Sequence, residues 1–160
     1  MMWRSHLASG AFVAGLASVG LGELNPALVT GVLIGSLLPD VDHPKSKFGR
    51  VLLPISLPLY LVFGHRGGTH SVLFVALCGF VSIFNVLLGV GLALGVIVHI
   101  LGDVISYSHG PVFTKGGGCP LAYPSEKKWG FRILKVNGLT ENLVLLPALC
   151  IGAFGLFAQF

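Results

Sequence analysis

A chain of 160 residues that is 54% hydrophobic and only 10% charged, with a mean hydropathy of +0.87, is too apolar for a soluble domain of its size. The balance predicts an integral membrane protein, one domain over 1–160, whose helices bury their faces against one another and against lipid. The net charge of +4 suits anionic headgroups, and no segment reads as an internal repeat, a soluble domain or a nucleic-acid module.

The N-terminal MMWRSH and the greasy run after it resemble a signal peptide, but no A-x-A-like cleavage site follows and further apolar runs do, so a first membrane helix is expected. Apolar runs fall at 7–22, 26–38, 51–63, 71–88, 88–105 and 143–159. Crossing the hydrocarbon takes roughly 20 residues, about 17 at the least. The run VLLPISLPLYLVF at 51–63 is too short and carries Pro54 and Pro58, which disfavour a straight helix and suit a re-entrant or interfacial segment. The expected fold is therefore all-α, a polytopic bundle of about five transmembrane helices plus that segment. The polar stretches 1–6, 39–70 and 106–141 then share one face, and they hold every Lys and Arg of the chain. The positive-inside rule makes that face cytoplasmic, which predicts a multi-pass protein of a bacterial inner membrane. The opposite face receives only the turns at Glu23–Pro26 and Asn85. Small residues in GAFVAGLASVGLG and GVGLALGV predict close helix contacts. Cys78, Cys119 and Cys150 are scattered, without CxxC spacing, and read as structural.

Chemistry collects at the cytoplasmic ends of these runs. His6, then Asp40, Asp42 and His43 in PDVDH, then His65 and His70, then His99 and Asp103, and finally Glu141 come from separate segments. Ionisable groups near lipid are costly and face a bundle interior or a wet cavity, so their convergence predicts a site. His99 and Asp103 in HILGD lie four apart and share a helix face, as the ligands of one ion or of neighbouring ions do. PDVDH offers a compact mixed oxygen and nitrogen donor set. In GHRGGTHS, two glycines between His65 and His70 fit a tight turn that gathers imidazoles around a metal or an anion. Thr69 and Ser71 are expected to cap the helix that begins at Ser71. His109 receives no role, and TKGGGCP reads as a hinge without Walker-type spacing.

LLPDVDHPKS, GHRGGTHS and HILGDV, with His6 at the start and PLAYP before the last helix, resemble the YdjM family of bacterial inner-membrane proteins classed as metal-dependent hydrolases. The resemblance runs from about His6 to Glu141 and implies a metal-dependent hydrolase; the family's LexA-binding label finds no counterpart in these residues. The kind of site is also similar to that of zinc-dependent phospholipase C and P1 nuclease, although their ligand order does not map onto this chain and those enzymes are soluble. In that likeness His99 and Asp103 stand for the HxxxD pair, with Asp103 as bridging carboxylate.

The expected activity is hydrolysis of a lipid phosphate ester at the cytoplasmic interface. Two or three divalent ions, Zn2+ first and Mn2+ or Fe2+ as alternatives, would be held by His6, Asp40, Asp42, His43, His65, His70, His99, Asp103 and Glu141. Asp103, Asp40 and Arg66 are the expected catalytic residues, Arg66 gripping a phosphate bidentately. Lys45 and Lys47 would draw in the anionic headgroup of a substrate entering from the bilayer. The alternatives are a metal or ion transporter and a non-catalytic regulator with a structural metal site; a catalytic site keeps an open position where a structural one is closed.

Overall fold

The computed structural model describes residues 1–64, 67–107, 130–131 and 133–160. Among the described residues seven α-helices appear in chain order: α1 (Trp3–Leu21), α2 (Pro26–Gly35), α3 (Lys47–Val51), α4 (Leu53–Phe63), α5 (Val72–Phe80), α6 (Val86–Ile105) and α7 (Leu146–Phe157). Tight 3-10 turns at Leu38–Asp42, Gly68–His70 and Val81–Ile83 and a π-helical turn at Glu141–Leu145 join or extend them. Helical architecture agrees with the sequence expectation. The one addition is a parallel pair of two-residue strands, β1 (Ser106–Tyr107) beside β2 (Leu134–Lys135).

The turns expected on the far face form as their residues dictate. Gly22 ends α1 at φ 70, a left-handed conformation that glycine adopts without Cβ strain. Asn25 caps α2 by accepting from the amides of Ala27 and Leu28, ahead of a first-turn proline. Asn85 caps α6 by accepting from Leu88 N at 3.0 Å.

The expected number of crossings is not supported. Among the described residues only α6, at 20 residues and a mean hydropathy of 2.2, is both long and apolar enough to span a bilayer. An apolar run measures greasy sequence, whereas a crossing needs continuous helix. The 10 residues of α2 reach about 15 Å, half of a hydrocarbon core of about 30 Å. The run 71–88 is divided into α5, a 3-10 turn and the start of α6. Within the run 51–63, where prolines were expected to disfavour a straight helix, Leu53–Phe63 forms α4: Pro54 sits in its first turn, where no N–H is needed, and Pro58 lies inside it.

Burial is inverted relative to a water-soluble protein. His6, His70, His99, Glu141, Asp42 and Asp103 are among the largest fully buried side chains, while Leu61, Leu73, Phe84, Ile151 and Phe154 are exposed. That is the pattern of a bundle solvated by lipid, with its polar groups turned inward. One apolar cluster joins Cys78, Val96, Ile100 and Val104, with Leu38, Phe74, Val75 and Leu92 packed around them, and Leu28 and Val32 of α2 are buried as well.

Glycines set the central contact. A Cβ at Gly31 would stand 2.5 Å from Leu88 O and 3.0 Å from Gly91 Cα; one at Gly35 would meet Gly95 Cα at 3.1 Å. Gly31 and Gly35 thus lie directly on Gly91 and Gly95, with small residues four apart on both helices. Later residues of α2 meet later residues of α6, so the two run parallel and their C-terminal ends arrive together. α1 also packs on α2 and α6, and Gly10 leaves room for Ser36.

Candidate metal centre

The cluster grows out of that backbone contact. His99 follows Gly95 by one turn on the same face of α6, and Asp103 follows by another. On α2, Pro39 cannot donate a helical N–H, and the chain tightens into the 3-10 turn, where Asp40 N bonds Leu37 O at 3.2 Å. The Ser36 carbonyl, an acceptor that a continuing helix would have used for Asp40 N, turns instead to His99 Nδ1 at 2.7 Å. A carbonyl only accepts, so Nδ1 carries the hydrogen and Nε2 keeps its lone pair.

That lone pair faces Asp40 Oδ1 at 3.7 Å and Asp103 Oδ2 at 4.0 Å. Three acceptors converge at a place where His99 is fully buried and Asp103 nearly so. The His6 ring stacks on His99 with centroids 3.8 Å apart and planes 10° from parallel, its Nε2 3.4 Å from Asp103 Oδ1. Neither nitrogen of His6, nor His99 Nε2, has a hydrogen-bond partner among the described residues. A buried acceptor left unmatched costs about 1–3 kcal/mol. His70 Nε2 completes the ring of donors at 3.5 Å from Asp103 Oδ2, and the Met1 amino group reaches Asp103 Oδ1 at 2.6 Å and Ser106 Oγ at 2.8 Å.

Two overlapping donor sets result, His6–Asp40–His99 and His70–His99–Asp103, each with its ligand atoms within 4.8 Å of one another. In a tetrahedral zinc site with bonds of about 2.1 Å, neighbouring ligand atoms stand about 3.4 Å apart. The His6–Asp103 and His70–Asp103 separations of 3.4 Å and 3.5 Å already match that edge. The buried lone pairs and the mixed imidazole and carboxylate chemistry fit a divalent ion of the zinc, manganese or iron kind.

Other expected site residues stand differently. Asp42 is fully buried and belongs to neither donor set; it lies against Thr69 Oγ1 and, at 3.3 Å, His70 Nδ1. Both oxygens of Glu141 accept backbone amides, Met2 N and Asn137 N at 2.7 Å each, so the buried carboxylate ties the start of α1 to the π-helical turn. His43 Nδ1 accepts from Lys45 N at 3.2 Å in its own loop. Lys45 is exposed, and Lys47 Nζ lies 4.2 Å from the centroid of the Trp3 ring. His65 and Arg66 lie outside the described residues, as do His109, Cys119, TKGGGCP and PLAYP.

Some participants carry no signal in a residue-by-residue reading. Ser71 occupies the N-cap position of α5 but makes no capping bond; its hydroxyl donates to Gly68 O at 2.6 Å. Thr69 serves Asp42 and His70 rather than a helix end. Ser36 acts through its carbonyl. Gly102 gives His6 its room, since a Cβ there would stand 3.3 Å from His6 Cε1. The i,i+4 glycines leading to His99 were the available clue.

The sequence matches the family described as YdjM inner membrane protein over residues 1–158. The chain belongs to the YdjM family. It is 35% identical over 131 residues to inner membrane protein YdjM of Escherichia coli (strain K12), and equally to that of Shigella flexneri, covering 69% of this chain and 59% of each relative. The chain thus spans less than two thirds of the length of those relatives. Bacillus subtilis (strain 168) YvsG is 29% identical over 149 residues, covering 91% of this chain and 88% of that protein. No solved structure matches. Family membership makes this a bacterial inner-membrane protein, its buried His and Asp groups able to hold metal.

Proposed function

We propose that this YdjM-family protein is a membrane-embedded, metal-dependent hydrolase that cleaves a lipid phosphate ester at the cytoplasmic face. The observation that carries the reading is His99: its Nδ1–H is fixed by Ser36, so a buried Nε2 lone pair, with no hydrogen-bond partner among the described residues, faces two carboxylates, an acceptor set that a divalent cation would match. The two overlapping donor sets, His6–Asp40–His99 and His70–His99–Asp103, would hold up to two such ions. When bound, such ions supply Lewis acidity, bringing the pKa of water to about 7 and neutralising charge on a phosphoryl centre.

The protein's own groups would do the rest. Asp40, at 20% side-chain exposure the most open of the donors, marks the side from which substrate enters and can take a proton from water there. Lys45 and Lys47, three to five residues beyond Asp42, place positive charge near that mouth, and Arg66 is assigned to the phosphate. A transporter would need polar steps along the span, whereas Val86–Val98 of α6 is apolar throughout. The test is release of headgroup or phosphate from a panel of phospholipids and polyprenyl phosphates by zinc-loaded protein in detergent. Turnover lost in His99→Ala is the expected result; equal turnover in that variant, or none in a metal-loaded wild type across the panel, contradicts the proposal.

A further inference from the structure

We infer that Asp42 and Thr69 form a positioning pair that orients His70 toward the ion through hydrogen bonds to Nδ1, rather than supplying ligands of their own. The inference rests on the metal-site reading above and adds how one ligand is held. Thr69 is buried, and Asp42 and His70 are wholly so. The Thr69 hydroxyl owns one proton and donates it to Asp42 Oδ2, a carboxylate that accepts. With that proton committed, the 3.0 Å contact between Thr69 Oγ1 and His70 Nδ1 requires Nδ1–H as donor, and Asp42 Oδ2 stands 3.3 Å from the same nitrogen. Nε2, on the opposite edge of the ring, is thereby left to face Asp103.

Sequence and fold make the arrangement economical. Thr69 and His70 are consecutive in a 3-10 turn, and the Leu38–Asp42 turn that carries Asp40 to the donor side carries Asp42 to this one. Residues two apart in PDVD therefore take different parts: Asp40 faces His99, and Asp42 backs His70. The result parallels His99, whose Nδ1 is held by the Ser36 carbonyl. Metal-binding histidines commonly have the other ring nitrogen fixed by a carboxylate or a carbonyl, and removing that partner weakens metal affinity about 10–100-fold.

Cobalt(II) titration of the full-length protein in detergent, followed by its visible ligand-field bands, tests this in wild type, Asp42→Asn, Thr69→Val and Thr69→Ser. The expected result is an unchanged ion count and band positions in all four, with affinity about 10–100-fold weaker in Asp42→Asn and Thr69→Val and restored in Thr69→Ser. A lost ion or shifted bands in Asp42→Asn alone, with Thr69→Val like wild type, makes Asp42 a ligand and overturns the inference. Wild-type affinity in both Asp42→Asn and Thr69→Val overturns it as well. If Asp42→Asn does not fold, Thr69→Val against Thr69→Ser decides. Absence of cobalt from the wild type is a separate failure, that of the metal site itself.

Discussion

Replacing Gly95 by alanine acts on the site from a distance and tests how the fold builds it. A methyl there would stand 2.6 Å from Ser36 N, and the Val32 carbonyl also obstructs it. Ordinary contact begins at 3.4 Å, so α2 and α6 must part by at least about 0.8 Å, and more to clear the Val32 carbonyl. The same displacement lengthens the Ser36–His99 hydrogen bond from 2.7 Å to about 3.5 Å, where little of it remains. Overpacking of this kind costs about 1–3 kcal/mol, and loss of the partner that fixes the imidazole weakens metal binding about 10–100-fold. Competition with a chromophoric zinc chelator, beside thermal unfolding in the same detergent, measures both effects. Gly20→Ala is the control, since nothing lies within 4 Å of its added Cβ. A folded Gly95→Ala protein that holds zinc as tightly as wild type would refute the claim that the glycine contact sets His99.

Three other substitutions or conditions separate the parts. Gly102→Ala brings a methyl to 2.7 Å from Met1 Sδ, the end of a flexible side chain that can move aside, and to 3.3 Å from His6 Cε1 and 3.4 Å from Nδ1, so it should weaken zinc binding at least several-fold without unfolding the bundle; unchanged affinity would show that His6 can move freely or holds no ion. Glu141→Gln exchanges one of two charge-assisted acceptors for a donor, costing about 1.5–3 kcal/mol in thermal stability while leaving the ion count intact; loss of an ion would place Glu141 among the ligands. Burial of His70 favours its neutral ring but is outweighed by hydrogen bonds and charge from Asp103 and Asp42, which raise its pKa to about 9. The metal-free ring is then protonated at pH 7 and must release a proton to bind, so zinc affinity should rise up to about tenfold per pH unit below pH 9 and level off above it. Calorimetry in buffers of different ionisation enthalpy reads that proton directly; no release at pH 7 would contradict His70 as a ligand.

The donors were legible in the sequence because intramembrane His and Asp are conspicuous: His99 and Asp103 share a helix face by spacing alone, and PDVDH stands where an apolar run stops. Division of labour among them was not legible. Whether Asp40 or Asp42 faces the ion depends on the 3-10 turn that Pro39 brings about, and Glu141 is claimed by the amide of Asn137 four residues before it and by that of Met2 at the other end of the chain. Thr69 resembled a capping residue because its neighbours in sequence, not its neighbour Asp42 in space, were all that spacing revealed. Five crossings are not supported by the helices, because hydropathy does not register the 3-10 turns that break runs such as 71–88.

Metal content of detergent-purified protein, prepared without chelator and analysed by inductively coupled plasma mass spectrometry, bears most directly on the central claim. Wild type should carry two zinc-like ions per chain, and Asp103→Ala, whose oxygens face His6 on one side and His70 on the other, should lose both. A metal-free wild type from metal-replete medium, or an Asp103→Ala protein with its full complement of ions, would contradict the account.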